Sequence, residues 1–326
     1  MKLTLTTHSF VHIGSGREIT PMEYLLDRGT FHRLHMDGLF QDEDFKPESR
    51  AFDDFMSLAG KAKPEARHLG GHKELEAIAR RHILYTLPVD QTARQEPDRI
   101  TVSEAFRSAG KTVVPGSSIK GALLGVVAYG LLKTGRIQWP ANDRELRDRV
   151  AAWLGGKPER DGSLRWLDVS DTDGRPADKT LALAIVRVER SPDARPGKGP
   201  LKAAHTLMEV IKPGVTFNLD IKVPRSVRGD FFESMLAWAR EYAQEICRAE
   251  GEPMHVSAQS GPIRLGQGSG AWAMSLLAAA KALGRKEYSV SRLGGFHNIT
   301  CADPPWTRKK AGVRPLGWAY LKPAAS

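Results

Sequence analysis

The segment Ile263-Arg264-Leu265-Gly266-Gln267-Gly268-Ser269-Gly270 opens directly into an apolar run at 271–283. Three glycines at alternate positions strip side chains from the backbone and let a ligand approach the main chain. Helix-forming residues follow at once, so the loop's N–H groups and the helix N-terminus point at one spot. That geometry favours an anion such as phosphate. The pattern is not GxGxxG, and no Gly-Lys-Ser/Thr follows it. The lysine and the magnesium-holding hydroxyl of a mononucleotide site are therefore missing. Arg264 just ahead of the glycines and the Ser269 hydroxyl both suit a phosphate, whereas a plain turn before a helix needs neither.

Two other segments have the same character. Pro115-Gly116-Ser117-Ser118-Ile119-Lys120-Gly121 runs into a helical stretch at 122–133, and His12-Ile13-Gly14-Ser15-Gly16 follows a strand-like start. Ser117 and Ser118 fall at the expected helix N-cap. Lys120 in the first turn opposes the helix dipole, an arrangement that a bound anion would relieve. Three small-residue cradles suggest a long phosphate backbone rather than one nucleotide.

The charge agrees. Lys and Arg number 48 against 38 Asp and Glu, a net +10, the sign that suits a polyanion. The excess is spread along the chain, which speaks against a disordered basic tail. With 326 residues, 41% of them hydrophobic, the chain is globular and long enough for about two domains. Neither Cys247 nor Cys301 has a CxxC partner, so no zinc site or redox pair is expected. The opening Met1-Lys2-Leu3-Thr4-Leu5-Thr6-Thr7 reads as a strand and not a signal peptide. No uncharged apolar run approaches the ~18 residues of a membrane span. The expectation is a cytoplasmic protein with no membrane partner.

Strand patterns at 2–11, 24–26, 30–35, 99–102, 111–114, 165–169, 180–189, 206–211, 216–223 and 317–321 mix with helical patterns at 49–59, 73–84, 122–133, 144–154, 231–248 and 271–283. There is no regular βαβ alternation, which predicts an α+β fold. The polar, helical stretch 37–99 reads as an insertion.

Other candidates keep more than one reading. His12 is an acid or base for RNA cleavage, a base-stacking or phosphate-binding side chain, or an ordinary histidine at a strand end. Asp168, Asp171 and Asp173 are a hydrolytic metal cluster or an Asx-type turn. Arg187, Arg190, Arg195, Lys198 and Lys202 surround a Pro- and Gly-rich excursion, which is a basic finger or a solvated loop.

The order of these pieces resembles a known family. Leu5-Thr6-Thr7, His12-Ile13-Gly14-Ser15-Gly16, Ile19-Thr20-Pro21-Met22-Glu23-Tyr24, Val114-Pro115-Gly116-Ser117-Ser118-Ile119-Lys120-Gly121-Ala122 and the loop at 265–270 are similar to the RAMP proteins of type III CRISPR effector complexes. The match is densest with the type III-A (Csm) subunit that caps the crRNA 3′ end. The resemblance implies two ferredoxin-like (RRM-related) domains, at 1–160 with the helical insertion at about 37–99, and at 161–326 with a thumb-like loop at about 190–204 and the glycine-rich loop at 264–270. It implies crRNA and target RNA as ligands, bound through the backbone by His12, Gly14, Ser15, Gly16, Gly116, Ser117, Ser118, Lys120, Arg187, Arg190, Lys198, Lys202, Arg264, Gly266, Gln267, Gly268, Ser269 and Gly270. It also implies a neighbouring RAMP backbone subunit and a small helical subunit as partners. No cofactor, metal or catalytic residue is expected. The alternative is a RAMP endoribonuclease acting through His12, or through Asp193 with a metal. No RNP-type aromatic pair is visible on any strand.

Overall fold

Thr216–Lys222 reads TFNLDIK, and its alternation is strict. Phe217, Leu219 and Ile221 are buried, while Thr216, Asn218, Asp220 and Lys222 are exposed. A period of two with one wet face is the signature of a half-buried antiparallel strand. In the computed structural model its partner is the N-terminal strand Lys2–Thr7, with Leu3 opposite Leu219 and Leu5 opposite Phe217. Trp318–Pro323 pairs on the far side of Lys2–Thr7, and Gly261–Arg264 lies beyond it. Asp168–Val169 closes the other edge. The structure describes residues 1–27, 29–60, 69–90, 99–141, 143–155, 167–190, 205–223, 229–250, 260–267, 272–273, 276–285, 289–291, 298–300, 307–311 and 314–324.

The apolar face of this sheet is covered by the helices Gly116–Lys133 and Phe231–Glu250, which pack on each other and on the sheet. The first is apolar on nearly every side, with Ile119, Leu123, Val126, Val127 and Leu131 buried. A helix hydrophobic all round is one enclosed by other elements. It begins six residues earlier than its apolar periodicity suggests, because the Gly-Ser-Ser-Ile-Lys-Gly segment is itself its first turns.

A second sheet runs in the order Arg314–Pro315, Thr307–Ala311, Leu181–Arg190, His205–Ile211, Arg99–Ala105, Gly14–Ile19. Leu181 and Leu183 join the main core, while Ala182, Ala184 and Val186 pack with Met208, Val210 and Leu316 on the opposite face. Burial on both faces explains the unbroken apolar run Leu-Ala-Leu-Ala-Ile-Val.

Residue 160 separates neither sheet. Lys2–Thr7 pairs with strands from beyond residue 215, and Gly14–Ile19 shares its sheet with Leu181–Arg190. One core runs from Leu3 through Leu123 and Phe217 to Leu321. The strands of each sheet are interleaved along the chain, because the N-terminal strand finds its pairing partners only in the C-terminal half.

The insertion is also larger than its helical pattern. Tyr24–Asp27, Thr30–Leu34 and Ile83–Pro88 form an antiparallel sheet. The helices Met36–Gln41, Arg50–Ala59 and Lys73–Arg81 lie between its second and third strands. Leu34, Leu39, Phe45, Phe55, Leu58 and Leu75 give it a core of its own. The Ser49 hydroxyl accepts from Phe52 N–H at 3.2 Å and caps the middle helix.

Candidate nucleic-acid interface

The first and third glycine-rich segments meet. Past Lys2–Thr7 the chain crosses to the second sheet, where Val11 exchanges backbone bonds with Ile211 at 3.1 and 2.7 Å. Gly14–Ile19 then forms the edge strand, in broken register. Gly14 lies opposite Ala105 but Glu18 lies opposite Ser103, so four steps on the edge strand face two on its partner. The surplus makes a bulge at 15–17, whose residues are exposed. The turn expected at 12–16 is this bulge, and Gly16 supplies its left-handed conformation at φ +86°.

Gly266 packs against it. Gln267 N–H donates to the His12 carbonyl at 2.8 Å. Gly266 sits at φ +72°, and a Cβ there would lie 2.2 Å from the same oxygen. Glycine is required at 266 by this contact between two loops some 250 residues apart in sequence. Gly268, Ser269 and Gly270 lie outside the described residues.

A buried polar network holds the bulge. His12 is 1% exposed, and its Nδ1 donates to the Glu209 carbonyl at 2.6 Å. The Glu209 side chain is fully buried. Its Oε1 accepts from the Tyr85 hydroxyl at 2.5 Å, and its Oε2 accepts from Ala105 N–H at 2.9 Å. Burial pushes the Glu209 carboxyl above the usual carboxylate range, against the pull of Arg107, whose guanidinium lies 3.7 Å from Oε2. Arg107 also pairs with Glu104 at 2.7 Å and stands 4.2 Å over the Tyr85 ring. The Ser15 hydroxyl donates to Glu104 at 2.9 Å. This chain of bonds ties the exposed bulge to both the second sheet and the insertion. Sequence reasoning passed over Glu209, although a charge inside Leu207-Met208-Glu209-Val210-Ile211 is a usable signal, since buried charges occur only with partners.

Two expected ligand-binding side chains belong to the interior. His12 is sealed off, so its ring neither stacks on a base nor exchanges protons with RNA in this conformation. Arg264 is likewise 5% exposed. Its Nη1 meets both Glu250 carboxylate oxygens at 2.5 Å, its Nε donates to the Leu316 carbonyl at 2.9 Å, and its guanidinium lies 5.3 Å over Trp318. An arginine held by an internal carboxylate in this way serves as a structural post.

The second cradle is already partly filled. Pro115, not a serine, is the N-cap. Gly116 N–H donates to Asp171 Oδ1 at 2.8 Å, so an internal carboxylate sits at the positive end of the helix. A Cβ on Gly116 would lie 2.2 Å from the Val169 carbonyl. Close packing on the aspartate-bearing turn requires this glycine. Asp173 accepts from Asn218 N–H and Nδ2 at 2.7 and 2.8 Å and pairs with Arg175 at 2.8 Å. Asp171 and Asp173 thus have separate structural tasks, and no metal-binding group of three or more occurs among the described residues. Ser117 is exposed, and Ser118 and Lys120 are half-buried at the rim. Lys120 has no ion-pair partner among the described residues.

Beside the excursion, register creates a feature absent from any short motif. Arg187 lies opposite His205 on one side and Lys310 on the other. The side chains of Arg187 and Arg190 are outside the description, as are Asp193, Arg195, Lys198 and Lys202.

Among the described residues no helix is long and apolar enough to cross a membrane. No curated protein matches the chain. Its fold is similar to that of a chain in the cryo-EM structure of the Csm-crRNA-target RNA ternary complex of a type III-A CRISPR-Cas system, at TM-score 0.66 and 19% identity, over 99% of this chain and 100% of that one. It is also similar to the crystal structure of T. onnurineus Csm5, at TM-score 0.64 and 19% identity, over 97% of this chain and 99% of that one. The family model of the RAMP superfamily matches residues 4–269, which carry most strands of both large sheets and the converged loops, and the chain belongs to that superfamily.

Proposed function

We propose that this chain is a non-catalytic, RNA-binding subunit of a type III-A CRISPR effector complex. It holds the 3′ region of the crRNA and the guide–target duplex by backbone contacts, caps the assembly, and works in the cytoplasm beside a RAMP backbone subunit and the small helical subunit. The observation that carries this reading is the convergence of the bulge at 15–17 with Gly266 and Gln267, braced from below by Glu209 and Arg107. A rigid, side-chain-poor surface in a basic chain suits phosphate and sugar contacts, which position RNA without reading its sequence. One of the similar folds is a chain of such an assembly, the Csm-crRNA-target RNA ternary complex. Burial of His12 speaks against cleavage through that residue.

The fold belongs to the same reading. Lys2–Thr7, Gly116–Lys133, Asp168–Val169, Thr216–Lys222, Phe231–Glu250 and Trp318–Pro323 follow one another as β-α-β-β-α-β. Their strands lie in the antiparallel order fourth, first, third, second. We read this as one ferredoxin-like module and the six-stranded sheet as the core of the other, the two interleaved in sequence.

The test is to purify the tagged chain under native conditions and sequence the RNA that accompanies it. Short RNAs with a common repeat-derived tag and varied spacers, together with other RAMP subunits, are the expected result. Lys120→Ala should weaken RNA binding and lower the salt slope by about 0.7, one single-strand phosphate contact. Absence of RNA at low salt would sink the proposal.

A further inference from the structure

The open face of the five-stranded sheet carries a feature that the cradles do not explain. Along Lys2–Thr7, Thr4 and Thr6 point away from the helices. Thr4 is flanked by Asn218 and Lys322, and Thr6 by Thr216 and Tyr320. Thr6 and Thr216 share a hydroxyl–hydroxyl bond of 2.9 Å. At the end of these rows the His8 ring lies 5.0 Å from the Tyr320 ring. Both rings are half-buried. His8 N–H donates to the Trp318 carbonyl at 2.8 Å, so its backbone is tied to the strand that carries Tyr320, and the pair is held in place before any ligand arrives.

We infer that this face is a stacking platform for unpaired bases of single-stranded RNA, with Tyr320 and His8 supplying the rings and Thr4, Thr6, Thr216 and Asn218 lining the path. The inference rests on the RNA-binding reading above and adds a second mode to it, base stacking beside backbone cradling. Aromatic rings on an open sheet accept any base by its π face. Hydroxyl and amide groups suit base edges and 2′-hydroxyls. Lys2, Lys222 and Lys322 are exposed on this face, against Asp220 and Asp168, and none of the three lysines is ion-paired among the described residues. A protein partner fits less well, because interface cores need large apolar anchors. The exposed large apolar side chains among the described residues are Phe40, Met56 and Leu84 on the insertion and Met1 at the chain end. The pair joins positions 312 residues apart by number, so no local aromatic motif announces it.

The experiment uses the assembled complex with a guide RNA carrying 4-thiouridine at successive positions, irradiated and digested to map crosslinked peptides. The same complexes are assayed for RNA affinity with the full chain bearing Tyr320→Leu, Tyr320→Trp or His8→Ala. The expected result is a crosslink within Trp318–Pro323 or at His8. Tyr320→Leu should lose roughly tenfold in affinity with an unchanged salt slope, and Tyr320→Trp should retain binding, since a stack carries no charge. RNA bound normally by Tyr320→Leu, with crosslinks confined to the glycine-rich segments, would overturn the platform and leave the RNA-binding reading intact. A crosslink from this strand to a protein subunit would overturn it in favour of a protein interface. Failure of the wild-type complex to bind RNA would overturn both.

Discussion

Arg264 offers the sharpest separation of a structural role from a binding role. Its side chain is 1% exposed and that of Glu250 is 4% exposed. Replacing it by alanine leaves a buried carboxylate without its countercharge, which costs about 3–5 kcal/mol. The Leu316 carbonyl loses a donor, which adds about 1 kcal/mol. Unfolding entropy scales at about 2 cal/mol/K per residue, or about 0.7 kcal/mol/K for 326 residues. A loss of about 4 kcal/mol therefore lowers Tm by about 6 °C in a cooperative transition. Thermal and urea unfolding of Arg264→Ala, Glu250→Leu and the double variant Arg264→Met/Glu250→Leu measure this. Each single variant should be strongly destabilised. The double should recover at least half of the loss, because no unpaired charge remains. The reasoning is refuted if Arg264→Ala melts within about 1 °C of wild type while its RNA affinity falls with a shallower salt dependence. That outcome would make Arg264 a phosphate contact after all.

The other predictions concern the loops and the network beneath them. Gly266→Ala should cost at least twice as much stability as Gly16→Ala by thermal unfolding. Both place a side chain at positive φ, worth about 1–2 kcal/mol, but only Gly266 also drives a Cβ to 2.2 Å from the His12 carbonyl. Gly121→Ala, in a helix interior with nothing within 4 Å of the added Cβ, should raise stability by about 0.5–1 kcal/mol; lower RNA affinity in this more stable variant would place RNA on that turn. Glu209 has a folded-state pKa above its ordinary 4.5, raised by burial. The stability gained from its proton is therefore complete below about pH 4.5 and is lost as pH rises through the raised value. Glu209→Gln should remove that slope, so the Tm difference between variant and wild type should shift in the variant's favour across this window; parallel Tm–pH curves would contradict the raised pKa.

Much of the architecture was legible in the residues. The alternation in Thr216–Lys222, the apolar run of Leu181–Arg190 and the amphipathic Phe231–Glu250 each appear at close to their predicted bounds, because period and burial are local consequences of which face meets the core. The glycine-rich segments were also visible as places where backbone comes close to something. What they approach was not. Gly116 makes room for the Val169 carbonyl and Gly266 for the His12 carbonyl, and a glycine looks the same in a sequence whether its neighbour is a phosphate or another strand.

Charge shows the same division. Composition yields a net +10 and with it a polyanion as the natural partner. Position decides which cations are available. Arg264 faces an internal glutamate, whereas Lys120 stands on the rim of a helix end. By itself the sequence determined the element types, the presence of close backbone approaches and the sign of the field, because these depend on neighbours a few residues away. Tertiary structure alone decided that the N-terminal strand completes a C-terminal sheet, that two distant loops form one surface, and which charges are buried, because these depend on pairings between residues hundreds of positions apart.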